Sequence, residues 1–152
     1  MPTVGQPAPD FTRPATGGEI TLSELRGQHV VLYFYPKDST PGCTTEGSDF
    51  RDAYADFQAA GAIVLGVSRD SLASHERFKQ KLGFPFELIS DEDETLCRLY
   101  DVIKMKNMYG RQVMGIERST FLIDKDGVLR TEWRKVKVAG HCAAVLDAVR
   151  AL

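Results

Sequence analysis

The sequence contains little of what marks a membrane protein, a secreted protein or a nucleic-acid-binding protein. No run of it approaches the roughly 20 consecutive apolar residues that are needed to span a bilayer. Its 19 basic and 21 acidic side chains leave a net charge of -2, so the basic excess typical of a nucleic-acid-binding domain is absent. The opening segment MPTVGQPAPDF lacks the charged, then apolar, then small-residue order of a secretory signal. These absences predict a cytoplasmic protein that binds neither membrane nor nucleic acid.

Cysteine and histidine are also scarce. The cysteines are Cys43, Cys97 and Cys142, and the histidines are His29, His75 and His141. An odd number of cysteines argues against a framework of structural disulfides. The spacings contain neither a CxxC dithiol nor a Cys/His set suited to zinc, and the scattered histidines are expected to be surface or capping residues rather than ligands. We therefore expect no metal and no bound cofactor.

The chain of 152 residues has the length of one domain, and it shows neither a repeat nor a linker that would divide residues 1–152. An extended lead-in is expected over 1–18 and a long loop over 104–117, which contains Met105, Met108, Tyr109 and Met114. The predicted strands are 29–35, 62–67, 86–89, 120–123 and 128–133. The predicted helices are a single turn at 21–27 and longer segments at about 40–60, 71–82, 91–100 and 139–152.

The predicted elements alternate between strand and helix and end in a hairpin. Parallel strands joined by helices and completed by an antiparallel hairpin give an α/β protein, a three-layer sandwich with a mixed central sheet. The thioredoxin-like fold is the compact arrangement that fits this order.

The segment PKDSTPGCTTE, residues 36–46, has the marks of a helix start. Thr40 is suited to the N-cap and Pro41 to the first helical position. Cys43 then falls in the first turn, where unpaired N–H groups and the positive end of the helix dipole stabilise a thiolate, the reactive form of cysteine. Thr40 lies three residues earlier, so its hydroxyl can face the same point as the sulfur. On these residues alone, a simply buried Cys43 remains the alternative.

A thiolate in this setting is suited to peroxide chemistry. Reduction of a peroxide needs a nucleophile, donors that hold the O–O bond in line, and stabilisation of the departing oxygen. Thr40, the Cys43 amide and a nearby arginine would supply them. The thiolate becomes a sulfenic acid and water or an alcohol is released.

Several strings resemble those of peroxiredoxins. Pro36, Thr40 and Cys43 form a PxxxTxxC pattern, and YPKDSTPGCT together with GIERSTF resembles the branch called bacterioferritin comigratory protein or peroxiredoxin Q. The resemblance covers almost the whole chain. It implies reduction of hydrogen peroxide and organic hydroperoxides by the peroxidatic Cys43, with Thr40 orienting the peroxide and Pro36 shielding the sulfur. It also implies that Arg118, just before a strand, stabilises the thiolate and polarises the peroxide.

The chain departs from this branch at the resolving cysteine. The position five residues after Cys43 is Ser48, and the helix predicted at 71–82 has no cysteine. Helical spacing predicts that Cys142 is packed in the core and that Cys97 lies at the edge of an apolar stripe, partly accessible. The expected cycle therefore uses one cysteine, with thioredoxin or glutaredoxin and glutathione as the reductant. A two-cysteine cycle with Cys97 as the resolving residue is the alternative.

Other functions remain open from the sequence. A redox sensor or thiol chaperone would use Cys43 oxidation as a signal, and a non-catalytic thioredoxin-like binding domain would not use it at all. The methionines and tyrosine of 104–117 could form an apolar rim for organic hydroperoxides, or pack within the loop. By analogy with this branch we expect a monomer or a weak homodimer.

Overall fold

The structure, a computed structural model, describes residues 2–152 and contains nine strands and five α-helices in that range. The strands are β1 (Thr12–Ala15), β2 (Gly18–Thr21), β3 (His29–Phe34), β4 (Ala62–Ser68), β5 (Glu87–Ser90), β6 (Ile103–Met108), β7 (Arg111–Ile116), β8 (Ser119–Ile123) and β9 (Leu129–Trp133). The α-helices are α1 (Pro41–Asp52), α2 (Tyr54–Ala59), α3 (Leu72–Leu82), α4 (Thr95–Leu99) and α5 (His141–Arg150), and a 3-10 turn covers Leu22–Leu25.

Seven strands form a mixed central sheet in the order β2-β1-β5-β4-β3-β8-β9. The strands β3, β4 and β5 run parallel, whereas β8 pairs antiparallel with β3 and β9 pairs antiparallel with β8. The apolar run that predicts β3 places it inside the sheet, where both of its edges are paired. Its carboxyl end leads into α1, which carries Cys43.

Both faces of the sheet are covered, which gives the three layers that the sequence predicts. Alternate residues of β3 enter two separate apolar clusters: Val30, Leu32 and Phe34 lie in one, Val31 and Tyr33 in the other. Side chains of α1, α2, α3 and α5 complete the second cluster, and α4 with the N-terminal segment completes the first. Burial on both faces explains why β3 is apolar throughout instead of alternating. Among the helices of 2–152, none has the length and hydropathy to cross a membrane.

The helix α3 shows how local sequence sets an element's ends. Ser71 is its N-cap, and the Ser71 hydroxyl accepts the Ser74 N–H at 3.1 Å. Gly83 ends the helix with φ of 66°, a left-handed conformation that suits glycine. Both boundaries match the prediction from the sequence.

The predictions for 1–18 and 104–117 are wrong. The lead-in contains β1, which forms a hairpin with β2 and extends the sheet beside β5. The predicted loop is a separate hairpin of β6 and β7, closed by Tyr109 and Gly110 with φ of 54° and 79°. Two left-handed residues make the tight turn that matches the twist of paired strands. Apolar and polar residues alternate only over 103–106, and the methionines of this hairpin are exposed, so no buried face marks the strand.

Two predicted helices also differ in extent. The helix expected over about 40–60 is interrupted at Ala53, where φ and ψ of -95° and 2° separate α1 from α2. The helix expected over 91–100 is limited to α4, because Asp91 uses its carboxylate to accept the N–H groups of Leu96 and Cys97. A side chain that binds the backbone in this way replaces the first helical turn.

Candidate active site

Cys43 lies at the third position of α1, where the sequence predicts it. Thr40 is the N-cap residue in an extended conformation and Pro41 begins the helix. The Thr40 hydroxyl does not bind the helix N–H groups; it donates to the Lys37 carbonyl at 2.8 Å and so closes the loop between β3 and α1. The Cys43 side chain is buried, with 2% of its surface exposed. The sulfur therefore sits where the unpaired N–H groups of the first helical turn favour negative charge.

Arg118 reaches this sulfur from the start of β8, the strand next to β3 in the sheet. It immediately precedes β8, and its Nη2 donates to the Cys43 Sγ at 3.3 Å. Gly42 makes the approach possible, since a Cβ atom at this position would lie 3.1 Å from the same nitrogen. A guanidinium at this distance stabilises a thiolate through a charge-assisted hydrogen bond.

Glu46 is a buried partner of Arg118 on the same face of α1 as Cys43. Its Oε1 accepts from Nη1 of Arg118 at 2.5 Å, and its side chain is 2% exposed. Burial outweighs the attraction of Arg118 and raises the pKa of Glu46 to about 7. Its second oxygen has no hydrogen-bond partner. One end of the guanidinium is thus held by a carboxyl group that is partly protonated near neutral pH, and the other end faces the sulfur.

A cleft of about 260 Å³ opens beside the β3–α1 loop. Pro36 and Thr40 form one wall, and the β6–β7 hairpin contributes the opposite one. Its lining comprises Pro36, Lys37, Thr40, Arg69, Lys106, Met108, Val113, Met114, Gly115 and Ile116. Larger clefts of about 540 and 400 Å³ exist elsewhere, but none of the predicted site residues lines them.

Lys106 adds a further cation to this cleft. Burial lowers the pKa of Lys106, and the nearby charges of Arg118 and Arg69 lower it further. Cys43 and Arg118 do not themselves line the cleft, which combines apolar side chains of the hairpin with the cations of Lys106 and Arg69 beside the loop that precedes Cys43. Such a lining can take an apolar group while it stabilises the negative charge that develops when an O–O bond breaks.

Of the four predicted site residues, the structure brings Cys43 and Arg118 into direct contact, although they are far apart in the chain. Pro36 and Thr40 lie in the loop before the helix of Cys43 and line the adjoining cleft. Sequence reasoning missed Glu46, which the spacing of three residues from Cys43 on a predicted helix could have shown. Sequence reasoning also missed Lys106, because the sequence predicts a loop where the structure has the β6–β7 hairpin.

The predicted accessibility of Cys97 is wrong, whereas Cys142 packs against the core as expected but is not fully buried. Cys97, expected at the edge of its helix, is completely buried, and burial together with Asp91 raises the pKa of its thiol well above the usual range. Cys142, expected in the core, is partly exposed in the groove between α1 and α5. Burial and the carboxylate of Asp49 raise the pKa of Cys142 to about 12. All three thiols are free.

Two histidines also depart from the expected surface positions. His75 is fully buried in α3, and its Nδ1 lies 2.7 Å from Oδ2 of Asp38. His141 is buried at the start of α5, where its Nε2 lies 2.8 Å from the Thr120 hydroxyl. Burial and, to a smaller extent, the charge of Arg118 lower the pKa of His141 to about 4.

Comparison with protein families assigns most of the chain. Residues 4–132 match the model of the AhpC/TSA family. The chain is 58% identical over 148 residues to peroxiredoxin Bcp of Xanthomonas campestris pv. campestris, covering 95% of this chain and 92% of that protein. It is 50% identical over 148 residues to peroxiredoxin Bcp of Bacillus subtilis, covering 97% and 94%.

Solved structures agree with these relatives. The bacterioferritin comigratory protein of Xanthomonas campestris, described in trapped intermediate and ligand complexes that concern its alkyl peroxide reduction, has a TM-score of 0.88 at 58% identity, covering 93% of this chain and 90% of that one. A cysteine-to-serine mutant of PrxQ from Xylella fastidiosa has a TM-score of 0.93 at 46% identity, covering 99% and 97%. The fold is thus the thioredoxin-like one that the order of elements predicts.

Proposed function

The chain belongs to the AhpC/TSA family as a peroxiredoxin, a thiol-dependent peroxidase, and on that premise we propose that Cys43 is its peroxidatic cysteine in a one-cysteine cycle. The observation that carries the proposal is the 3.3 Å contact between Nη2 of Arg118 and the Cys43 sulfur at the first turn of α1. A cation and a helix start at one sulfur favour the thiolate, which is the nucleophile.

In the first half of the reaction, the thiolate attacks one peroxide oxygen. A new S–O bond forms as the O–O bond breaks, so the sulfur is oxidised to a sulfenic acid and the peroxide is reduced. The departing oxygen leaves as hydroxide or alkoxide and takes a proton to become water or an alcohol. Arg118, whose Nη2 lies 3.3 Å from the sulfur, would polarise the peroxide, and Thr40 and Pro36, which line the adjoining cleft, would orient it and shield the sulfur.

The second half of the cycle needs an external thiol. Ser48 occupies the nearby position at which a resolving cysteine would stand, and no cysteine lies in α3. The raised pKa of Cys142 keeps its thiol protonated at neutral pH, which makes it a poor nucleophile. One external thiol attacks the sulfenic acid and releases water, and a second frees Cys43 and leaves as a disulfide. Thioredoxin, or glutathione with glutaredoxin, fits this role.

The cleft supports organic hydroperoxides as substrates beside hydrogen peroxide. Its wall on the hairpin is apolar, and Met108, Val113 and Met114 are exposed to solvent there. An alkyl group that covers these side chains removes apolar surface from water, which is favourable.

The test is one equivalent of hydrogen peroxide added to the reduced protein, followed by intact and peptide-mapped mass under non-reducing conditions. A sulfenic-acid trap is added in parallel, and Cys43→Ser is the control. We expect the trap on Cys43 and no intramolecular disulfide. A disulfide from Cys43 to Cys97 or Cys142 would replace the one-cysteine cycle with a two-cysteine one. An unreactive Cys43 would overturn the assignment of the peroxidatic residue.

A further inference from the structure

A buried polar network lies beneath the loop that joins β3 to α1, and the peroxide chemistry above does not use it. Its centre is Asp38, which is 6% exposed and lies between Pro36 and Thr40. The Asp38 carboxylate accepts from the Tyr35 hydroxyl at 2.6 Å and from the Ser74 hydroxyl at 2.8 Å. It also contacts Nδ1 of the fully buried His75 at 2.7 Å.

The hydrogen bonds of His75 determine where its protons lie. Nε2 is 2.9 Å from the Ile89 carbonyl, which can only accept, so Nε2 carries a hydrogen. A single further proton then lies between Nδ1 and Oδ2 of Asp38. Whichever atom holds it, the contact is a short, buried and directional bond from α3 to the loop.

Asp70 makes a second connection to the same loop. Its Oδ2 accepts the Asp38 backbone N–H at 2.9 Å, and it accepts the Ser68 hydroxyl as well. The Asp70 carbonyl accepts the Ser90 hydroxyl at 2.7 Å. The loop is therefore attached through its side chain to α3 and through its backbone to the carboxyl ends of β4 and β5.

These attachments hold a strained segment in place. Ser39 follows Asp38 directly and has φ of 64°, a left-handed conformation that is unfavourable for a residue with a side chain. Thr40 and the first turn of α1 come next. Release of Asp38 would let Ser39 relax, and the relaxation would shift Thr40 and the first turn of α1, which carries Cys43.

The cluster is built for packing and not for a metal ion. Asp38, Asp70 and His75 form the one group within residues 2–152 whose ligand atoms lie within 4.8 Å of one another. However, both oxygens of Asp38 and both nitrogens of His75 already have hydrogen-bond partners in the protein. The atoms that would bind a cation are thus engaged in holding the loop.

We propose that His75 and Asp70 are positioning residues for the peroxide reaction, because they hold Asp38 and thereby fix the loop that runs from Pro36 through Thr40 into the first turn of α1, which carries Cys43. The inference rests on the proposed function, the oxidation of Cys43 by peroxide. It differs from a purely structural role because it predicts loss of reaction rate in protein that remains folded.

Two substitutions of His75 separate its contact with Asp38 from its contact with Ile89. His75→Asn keeps a donor near the position of Nδ1, toward Asp38, and His75→Gln keeps one near Nε2, toward Ile89. We expect the second-order rate constant for Cys43 oxidation by hydrogen peroxide to stay within about 3-fold of wild type in His75→Asn and to fall about 10-fold or more in His75→Gln. Alkylation of Cys43 by iodoacetamide needs no peroxide alignment and should not slow in either variant.

If His75→Gln does not fold, substitution of Asp70 tests the role of the Asp38 attachment instead. Asp70 is partly exposed, so Asp70→Ala removes the acceptor of the Asp38 N–H at little risk to the core, and we expect a fall of about 5-fold or more in the same rate constant. His29→Gln, in a half-buried histidine whose ring contacts the Lys125 N–H, is the matched control and should react as wild type. Wild-type rates in folded Asp70→Ala and His75→Gln would overturn the proposal. A wild-type protein whose Cys43 does not react would overturn the proposed function instead.

Discussion

Nη1 of Arg118 binds Oε1 of Glu46 at 2.5 Å, one helical turn along α1 from the sulfur that Nη2 of the same guanidinium contacts. Glu46 fixes the orientation of Arg118, but an ionised Glu46 also offsets part of the positive charge that Cys43 experiences. The site thus contains a cation that is shared between a buried carboxyl group and a reactive sulfur. Two predictions concern this arrangement.

Removal of the Arg118 side chain should slow the reaction of Cys43 with peroxide. A hydrogen bond to a charged group contributes about 1.5 to 3 kcal/mol, so Arg118→Ala should lower the second-order rate constant roughly 10- to 100-fold. Stopped-flow measurement of Cys43 oxidation provides the test. Arg150→Ala, which changes an exposed arginine at the end of α5, is the control and should leave the rate unchanged. Equal rates in Arg118→Ala and wild type would remove Arg118 from the site.

Glu46 should make stability depend on pH in a defined direction. Its pKa is about 7 in the folded protein against an ordinary value of 4.5, so between these values the folded state binds a proton that the unfolded state does not. The stabilisation from protonated Glu46 is complete below pH 4.5 and is lost as the pH rises through about 7. Glu46→Gln keeps the shape of the protonated group without its titration. Relative to this variant, the free energy of unfolding of wild type should fall by about 2 kcal/mol from pH 5 to pH 8.

Chemical denaturation of both proteins across this pH range measures the difference. Asp52→Asn changes an exposed carboxylate on the same helix and is the matched control, for which we expect a flat difference. A constant offset between wild type and Glu46→Gln at every pH would show that Glu46 is ionised throughout.

The three thiols should differ in reactivity in the native protein. Cys43 should react first with iodoacetamide, because Arg118 and the helix start stabilise its thiolate. Cys142 should follow slowly, since it is partly exposed but its pKa is raised to about 12. Cys97 is buried, and burial and Asp91 raise the pKa of its thiol well above the usual range, so it should react only on unfolding. Peptide-mapped labelling over time at pH 8 gives the order, and labelling in denaturant confirms that all three can react. Labelling of native Cys97 ahead of Cys142 would contradict the burial on which this order rests.

The β6–β7 hairpin should affect organic hydroperoxides more than hydrogen peroxide. Met108 lines the cleft whereas Met105, on the same strand and similarly exposed, does not. Met108→Lys removes apolar contact area of about 40 Å², worth about 1 kcal/mol at roughly 25 cal/mol per Å², or about a 5-fold rise in KM for cumene hydroperoxide. The KM for hydrogen peroxide should not change. Met105→Lys is the matched control, and equal effects of the two substitutions would mean that the cleft does not select the alkyl group.

Much of the fold could be predicted from local patterns in the sequence. The apolar run of β3 indicated a strand buried on both faces, and Ser71 and Gly83 marked the ends of α3. Turn residues predict a hairpin only where alternating apolar and polar residues flank them. For this reason the sequence predicts a loop where the structure has the hairpin closed by Tyr109 and Gly110. The alternation of apolar and polar residues over 103–106 is a strand signal, but it is too short to predict both strands of the hairpin.

The sequence by itself determined the local setting of Cys43, because the extended Thr40, the helix start at Pro41 and the position of the sulfur in the first turn depend on neighbouring residues alone. Tertiary structure alone decided which distant groups meet that sulfur: Arg118 is 75 residues away from it. It also decided which other thiol is reachable. Helical periodicity shows which residues share a face, but burial depends on what packs against that face. For Cys97 the opposing surface is the sheet, and for Cys142 it is an open groove between two helices.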